Sequence, residues 1–116
     1  MDDVTIYHNP NCGTSRNTLA LLRERGLEPR VVEYVKVGWT EAQLRELLKR
    51  LGKSPRDILR LRGAKAEELG LTSPQASDDM LIAAMVREPL LVERPIVVSS
   101  KGAVLCRPAD LVLGIL

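Results

Sequence analysis

Val4-Thr5-Ile6-Tyr7-His8-Asn9-Pro10-Asn11-Cys12-Gly13-Thr14-Ser15-Arg16-Asn17-Thr18-Leu19 is the stretch that decides the fold. Val4 to Tyr7 reads as a short strand and His8 to Asn11 as a polar loop. A helix then runs from about Thr14 to Arg25, and Gly26 stops it. Arg30 to Val35 is rich in β-branched residues and reads as a second strand. Strand, helix and strand at this spacing predict a parallel βαβ unit with a right-handed crossover.

Further along, the pattern turns helical. Thr40 and Gln43 form a capping-box pair, with Leu44, Leu47, Leu48 and Leu51 at i, i+3, i+4 and i+7 before Gly52. Ser54-Pro55 restarts a helix, with Ser as the cap and Pro at the first helical position. Residues 64–69 and 77–87 are further helix candidates, and Pro89 stops the last. The chain then changes character. Pro95 to Ser99 and Ala103 to Cys106 are strand-like runs joined by Ser100-Lys101-Gly102, which reads as a hairpin. Pro108 opens a final helix with Leu111, Val112 and Ile115 facing inward. The order is βαβ, a helical insert over about 40–90, then ββα. It predicts an α/β, thioredoxin-like fold with a mixed four-stranded sheet, as a single domain over 1–116.

Composition narrows the function. The chain has 116 residues, 45% hydrophobic and 28% charged, which is ordinary globular usage. Aromatics are 3%, so stacking on nucleic-acid bases has little to work with. Lys plus Arg is 17 against 15 for Asp plus Glu, a net +2 without the basic excess of a general nucleic-acid binder. Met1-Asp2-Asp3 has the wrong sign for a signal-peptide n-region, and no apolar run is long enough to span a bilayer. Two cysteines give no disulfide framework. The expectation is a cytoplasmic protein with reduced thiols, no membrane or nucleic-acid partner, and no metal site. Monomer is the default, because no long exposed apolar seam is visible.

Cys12 carries the chemistry. It lies between the first strand and the first helix, at the loop where open α/β sheets bind ligands. The positive end of a helix dipole and its free N–H groups favour a thiolate and attract an oxyanion. The flanking residues are small or polar, which suits a reactive thiol better than an inert core one. The spacing excludes two familiar loops. Cys12-Gly13-Thr14-Ser15 is not C-x-x-C, because Ser15 cannot close a disulfide, although its hydroxyl could hydrogen-bond the thiolate. Nor is it C-x₅-R, because Thr18 stands where the arginine would be; Arg16 reads as a solvated first-turn residue. His8 has two readings, a structural ring or an imidazolium that favours the thiolate. Cys106, beside Val104 and Leu105, reads as a packed thiol, and the sequence leaves its pairing with Cys12 open.

The segment Thr5 to Leu19 resembles the active-site segment of the glutaredoxin-coupled bacterial arsenate reductases. Glu93-Arg94-Pro95-Ile96-Val97-Val98 through Leu105-Cys106-Arg107-Pro108 resembles the C-terminal half of that family, and Ile58-Leu59-Arg60 falls where the family carries an arginine. The resemblance implies that Cys12 attacks arsenate, with His8 and Ser15 supporting the thiolate. It implies that Arg60, Arg94 and Arg107 bind the oxyanion, beside the backbone of Gly13 and Thr14. It implies glutathione as co-substrate with no bound cofactor, glutaredoxin as the partner that reduces the mixed disulfide, and phosphate and sulfate as mimics of arsenate. It further implies a cis peptide bond before Pro95, aiming Arg94 at the Cys12 loop. Two rivals are an Spx-type regulator that binds RNA polymerase and a glutathione-dependent thiol reductase of another substrate. Ser15 speaks against the C-x-x-C switch common in the first.

Overall fold

The computed structural model describes residues 3–63 and 65–116. Met1, Asp2 and Ala64, where one predicted helix begins, lie outside the described residues. The chain forms two compact units, Met1–Val37 with Arg94–Leu116, and Gly38–Glu93.

The first unit holds β1 (Thr5–Tyr7), α1 (Gly13–Glu24), β2 (Arg30–Val32) and α2 (Tyr34–Val37). After the return of the chain come β3 (Ile96–Ser99), β4 (Gly102–Leu105) and a 3₁₀ helix over Ala109–Ile115. The sheet order is β2-β1-β3-β4. β1 pairs parallel with β2, Ile6 opposite Val31, and antiparallel with β3, Ile6 opposite Val97. β3 and β4 form the predicted hairpin, Val97 opposite Val104. The central strand therefore carries the loop that ends in Cys12.

α1 packs through Ser15, Thr18 and Leu22, an i, i+3, i+7 stripe that is fully buried. Leu22 joins Val4, Ile6, Val97, Cys106 and Val112 in the core. A side chain buried like Leu22 contributes roughly 1.5–3 kcal/mol. Gly26, at φ 79°, ends the helix. Its N–H donates to the Arg23 carbonyl at 3.0 Å and the Leu27 N–H to the Leu22 carbonyl at 3.1 Å, a Schellman cap that needs a left-handed residue.

Two expectations fail in this unit. The predicted strand Arg30–Val35 stops at Val32, because the chain coils into α2 to bury Tyr34 completely. The Glu33 carbonyl accepts from the N–H groups of Lys36 and Val37, so burial and a closed turn override β-propensity. The last element is 3₁₀ rather than α. Its period of three aligns Val112 with Ile115 and turns Leu111 outward, 47% exposed, against the expectation that Leu111 packs inward.

The second unit is helical. α3 (Glu41–Leu51) carries the capping box: the Gln43 N–H donates to Thr40 Oγ1 at 3.1 Å and the Thr40 N–H to Gln43 Oε1 at 3.0 Å. A 3₁₀ turn over Pro55–Ile58, α4 (Lys65–Glu68), α5 (Asp78–Arg87) and a 3₁₀ turn over Pro89–Leu91 follow. Ser77 caps α5 by accepting from the Met80 N–H. Leu44, Leu47, Leu48, Leu81, Ile82 and Met85 are buried. Leu59 and Val92 form an antiparallel bridge. No helix among the described residues is long and apolar enough to cross a membrane.

Candidate active site

The loop between β1 and α1 is held almost entirely by its own hydrogen bonds. The His8 N–H donates to the Val32 carbonyl at 2.8 Å, adding one rung to the parallel ladder. Asn9 then makes three bonds. Its N–H donates to Ser15 Oγ at 3.1 Å, its Oδ1 accepts from the Asn11 N–H at 2.9 Å, and its carbonyl accepts from the Cys12 N–H at 3.0 Å. Pro10, between them, has no N–H to place. Cys12 is extended at φ −106°, ψ 122° and is the N-cap residue of α1. Its thiol thus stands at the end of the helix that carries unpaired N–H groups and the positive pole of the dipole.

Two arginines come to this thiol from the hairpin side of the unit. Arg107 Nη1 lies 3.9 Å from Cys12 Sγ and also donates to the Arg94 carbonyl at 2.9 Å. The Arg94 guanidinium hydrogen-bonds the thiol as well, from a side chain that is buried. Partial burial pushes the Cys12 thiol up, but the Ser15 backbone N–H and the Arg94 and Arg107 guanidiniums together pull it below the ordinary thiol value. The Arg94–Pro95 bond is cis, as expected, and so is Arg107–Pro108, which the sequence did not announce.

Ser15 and His8 serve the thiol differently from the sequence reading. Ser15 is fully buried, and its hydroxyl faces His8 Nδ1 at 2.6 Å and the Asn9 N–H. The Ser15 group that reaches the thiol is its backbone N–H. Burial lowers the His8 pKa; Glu33 opposes this, and Arg23 and Arg16 add to it. The net shift is downward, which favours the neutral ring over the imidazolium. His8 Nδ1 and the Ser15 hydroxyl share one hydrogen bond, and Ser15 Oγ also accepts from the Asn9 N–H. The pair pins the loop that presents Cys12.

The remaining predicted residues fall in several places. Gly13 and Thr14 open α1, and the Thr14 carbonyl accepts from the Thr18 hydroxyl at 2.8 Å. Arg60 belongs to the second unit, where its Nη1 donates to Glu93 Oε1 at 2.7 Å. Cys106 is fully buried and free, as Cys12 is free, so the two do not pair. Burial pushes its thiol up to about 12, which makes it inert. No cluster of three or more His, Cys, Asp or Glu suited to a metal occurs among the described residues.

Sequence reasoning passed over two residues. Asn9 anchors the loop, and its place in Asn9-Pro10-Asn11, where Asn side chains bond the backbone two residues on, was the available signal. Arg16 is not merely solvated: its Nη1 donates to the Pro10 carbonyl at 2.8 Å. The arrangement as a whole offers an activated sulfur nucleophile beside two guanidiniums and a helix N-terminus, which suits attack on a tetrahedral oxyanion.

Comparison with known proteins agrees with this geometry. An arsenate reductase of Rhizobium meliloti (strain 1021) is 50% identical over 113 residues, 97% of this chain and 81% of that protein. An arsenate reductase of Escherichia coli is 47% identical over 116 residues, 100% of this chain and 82% of that protein. Among solved structures, an arsenate reductase from Vibrio cholerae superposes with a TM-score of 0.94 at 43% identity, covering 98% of each chain. Residues 7–115 match the ArsC family, so that the Cys12 loop, α1, the hairpin and Arg107 all fall within the match. With its thioredoxin-like mixed sheet and its cysteine at the head of the first helix, the chain belongs to the ArsC family.

Proposed function

We propose that the protein reduces arsenate to arsenite through a covalent adduct on Cys12. The observation that carries the proposal is the thiol at the start of α1, held below its ordinary value with Arg107 Nη1 3.9 Å from the sulfur. The relatives from R. meliloti and E. coli, both arsenate reductases, support it. Arsenate is an anion, and a thiolate that approaches it meets like charge. Charge-assisted hydrogen bonds from fixed guanidiniums offset that repulsion. Arg94 and Arg107 take this role, with Arg60 as the third arginine the family resemblance implies. The first-turn amides of Gly13 and Thr14 face the oxyanion, and His8 and Ser15 keep the loop in place.

The chemistry balances with two thiols. Cys12 displaces one arsenate oxygen, which leaves as water as the sulfur–arsenic bond forms. Glutathione supplies the second thiol. Together the two sulfurs give up two electrons, arsenic(V) becomes arsenic(III), and arsenite leaves. A Cys12–glutathione mixed disulfide remains, and glutaredoxin exchanges it back to the thiol. Glutathione is thus a co-substrate, and no cofactor stays bound. Phosphate and sulfate occupy the same arginines as inhibitors. The protein acts as a cytoplasmic monomer.

The test is a coupled assay with arsenate, glutathione, glutaredoxin and NADPH. Arsenate-dependent NADPH oxidation that vanishes in folded Cys12→Ser supports the proposal. Folded wild-type protein without arsenate-dependent oxidation overturns it.

A further inference from the structure

We infer that Glu93 is a positioning residue for Arg60: its carboxylate fixes the guanidinium through one N–H and leaves the other donors to the oxyanion. The inference rests on the proposed role of Arg60 as the third oxyanion arginine and adds what holds it. Arg60 Nη1 donates to Glu93 Oε1 at 2.7 Å, and the two side chains are 20% and 19% exposed. Both residues belong to the second unit.

The backbone brings the pair together across 33 positions of sequence. The two 3₁₀ turns end side by side, where Leu59 and Val92 form their antiparallel bridge. The Arg60 N–H donates to the Leu91 carbonyl at 2.7 Å, and the Glu93 N–H donates to the Ile58 carbonyl at 2.8 Å. Ile58, Leu59, Leu91 and Val92 are all buried, which anchors the ladder on both strands. In that register Arg60 and Glu93 are diagonal neighbours, a separation of about 7–8 Å that long side chains bridge. Glu93 is also joined by its peptide bond to Arg94, whose guanidinium hydrogen-bonds the Cys12 thiol.

The form of the contact separates positioning from mutual neutralisation. A guanidinium carries five N–H donors, and a pair built for its own strength meets the carboxylate with two of them. Glu93 takes one N–H, and among the described residues it is the only partner of the Arg60 side chain. Four donors remain. The long Arg60 side chain is ordered on folding, before any anion arrives, so binding does not bear that entropy. The carboxylate also has an opposing effect, because the Arg60–Glu93 pair has no net charge and Glu93 repels an incoming anion. Arg60 therefore contributes aimed hydrogen bonds rather than long-range attraction.

The probe is inorganic phosphate, titrated into the full chain by calorimetry. Arg60→Gln is expected to weaken phosphate about tenfold, and Glu93→Leu about fivefold. In the Arg60→Gln chain, Glu93→Leu should change the affinity by less than about twofold, because its effect passes through Arg60. Glu93→Gln keeps an oxygen for Nη1 and removes the repulsion, so it should bind phosphate at least as tightly as wild type. Where Glu93→Leu does not fold, Glu93→Asp, which draws the carboxylate back by one methylene, is expected to lose about threefold, and no loss there overturns the inference. Undiminished affinity in folded Glu93→Leu overturns it, as does a loss in Glu93→Gln as large as in Glu93→Leu. An equal loss from Glu93→Leu with and without Arg60 also overturns it, because it marks Glu93 as a structural residue. Wild-type affinity in Arg60→Gln removes Arg60 from the oxyanion and the inference with it, while reduction through Cys12, Arg94 and Arg107 stands. None of these readouts needs turnover, so a chain that shows the expected pattern yet reduces no arsenate refutes the proposed activity and not the role of Glu93.

Discussion

Replacing Arg107 with Leu removes the cation whose Nη1 lies 3.9 Å from Cys12 Sγ. Two unit charges at that distance attract by about 1 kcal/mol at the dielectric of water and about 4 kcal/mol at an effective dielectric of 20. Cys12 and Arg107 are both only half-buried, which places the interaction near the lower end, about 1–2 kcal/mol. That energy is a roughly five- to thirtyfold change in the ratio of thiolate to thiol. The sign is fixed: the cation favours the charged sulfur, so its loss moves the Cys12 titration upward. The assay is the rate of alkylation by iodoacetamide from pH 5 to 9, because only the thiolate reacts. The Arg107→Leu profile is expected to shift to higher pH, while Arg107→Lys, which keeps the charge, shifts it less. Superimposable profiles for wild type and Arg107→Leu would show that the guanidinium does not stabilise the thiolate.

Ser15→Ala removes the hydroxyl that meets both the Asn9 N–H and His8 Nδ1. Each buried group left unpaired costs about 1–3 kcal/mol, so thermal unfolding should shift down by roughly 10 °C; a Tm within about 2 °C of wild type refutes the network. Cys106 has a folded pKa raised to about 12, so its contribution is complete below the ordinary thiol range and is lost as pH rises toward 12. Urea unfolding between pH 9 and 11 should lose about 1.4 kcal/mol per pH unit more in wild type than in Cys106→Ala, and parallel curves contradict this. Arg94→Lys keeps the charge but loses the planar fork, so the KM for arsenate should rise about tenfold. Wild-type kinetics in that variant would remove Arg94 from the oxyanion site.

The parts legible in the sequence are those that short-range physics decides. Thr40 with Gln43, Gly26 and the β-branched runs around Ser100-Lys101 announced a cap, a stop and a hairpin, and each is present. Cys12 was legible for the same reason, because the strand–loop–helix pattern alone puts it at an N-terminus. What failed depended on partners distant in sequence. Glu33-Tyr34-Val35 has the composition of a strand, but complete burial of Tyr34 coils it. Leu111 looked like a core residue on a 3.6-residue period and faces water on a period of three. The roles of His8 and Ser15 turned on which atom of Ser15 meets the sulfur. A serine seven residues beyond a histidine gives no sign that its hydroxyl turns to the ring and its amide to the thiol.

The most direct check is the ultraviolet titration of the thiolate near 240 nm, taken as wild type minus Cys12→Ser. With the Ser15 N–H and two guanidiniums on the sulfur, the difference signal should rise as one step centred below the ordinary thiol range and persist at neutral pH. A sulfur that ionises only at or above that range would contradict the account.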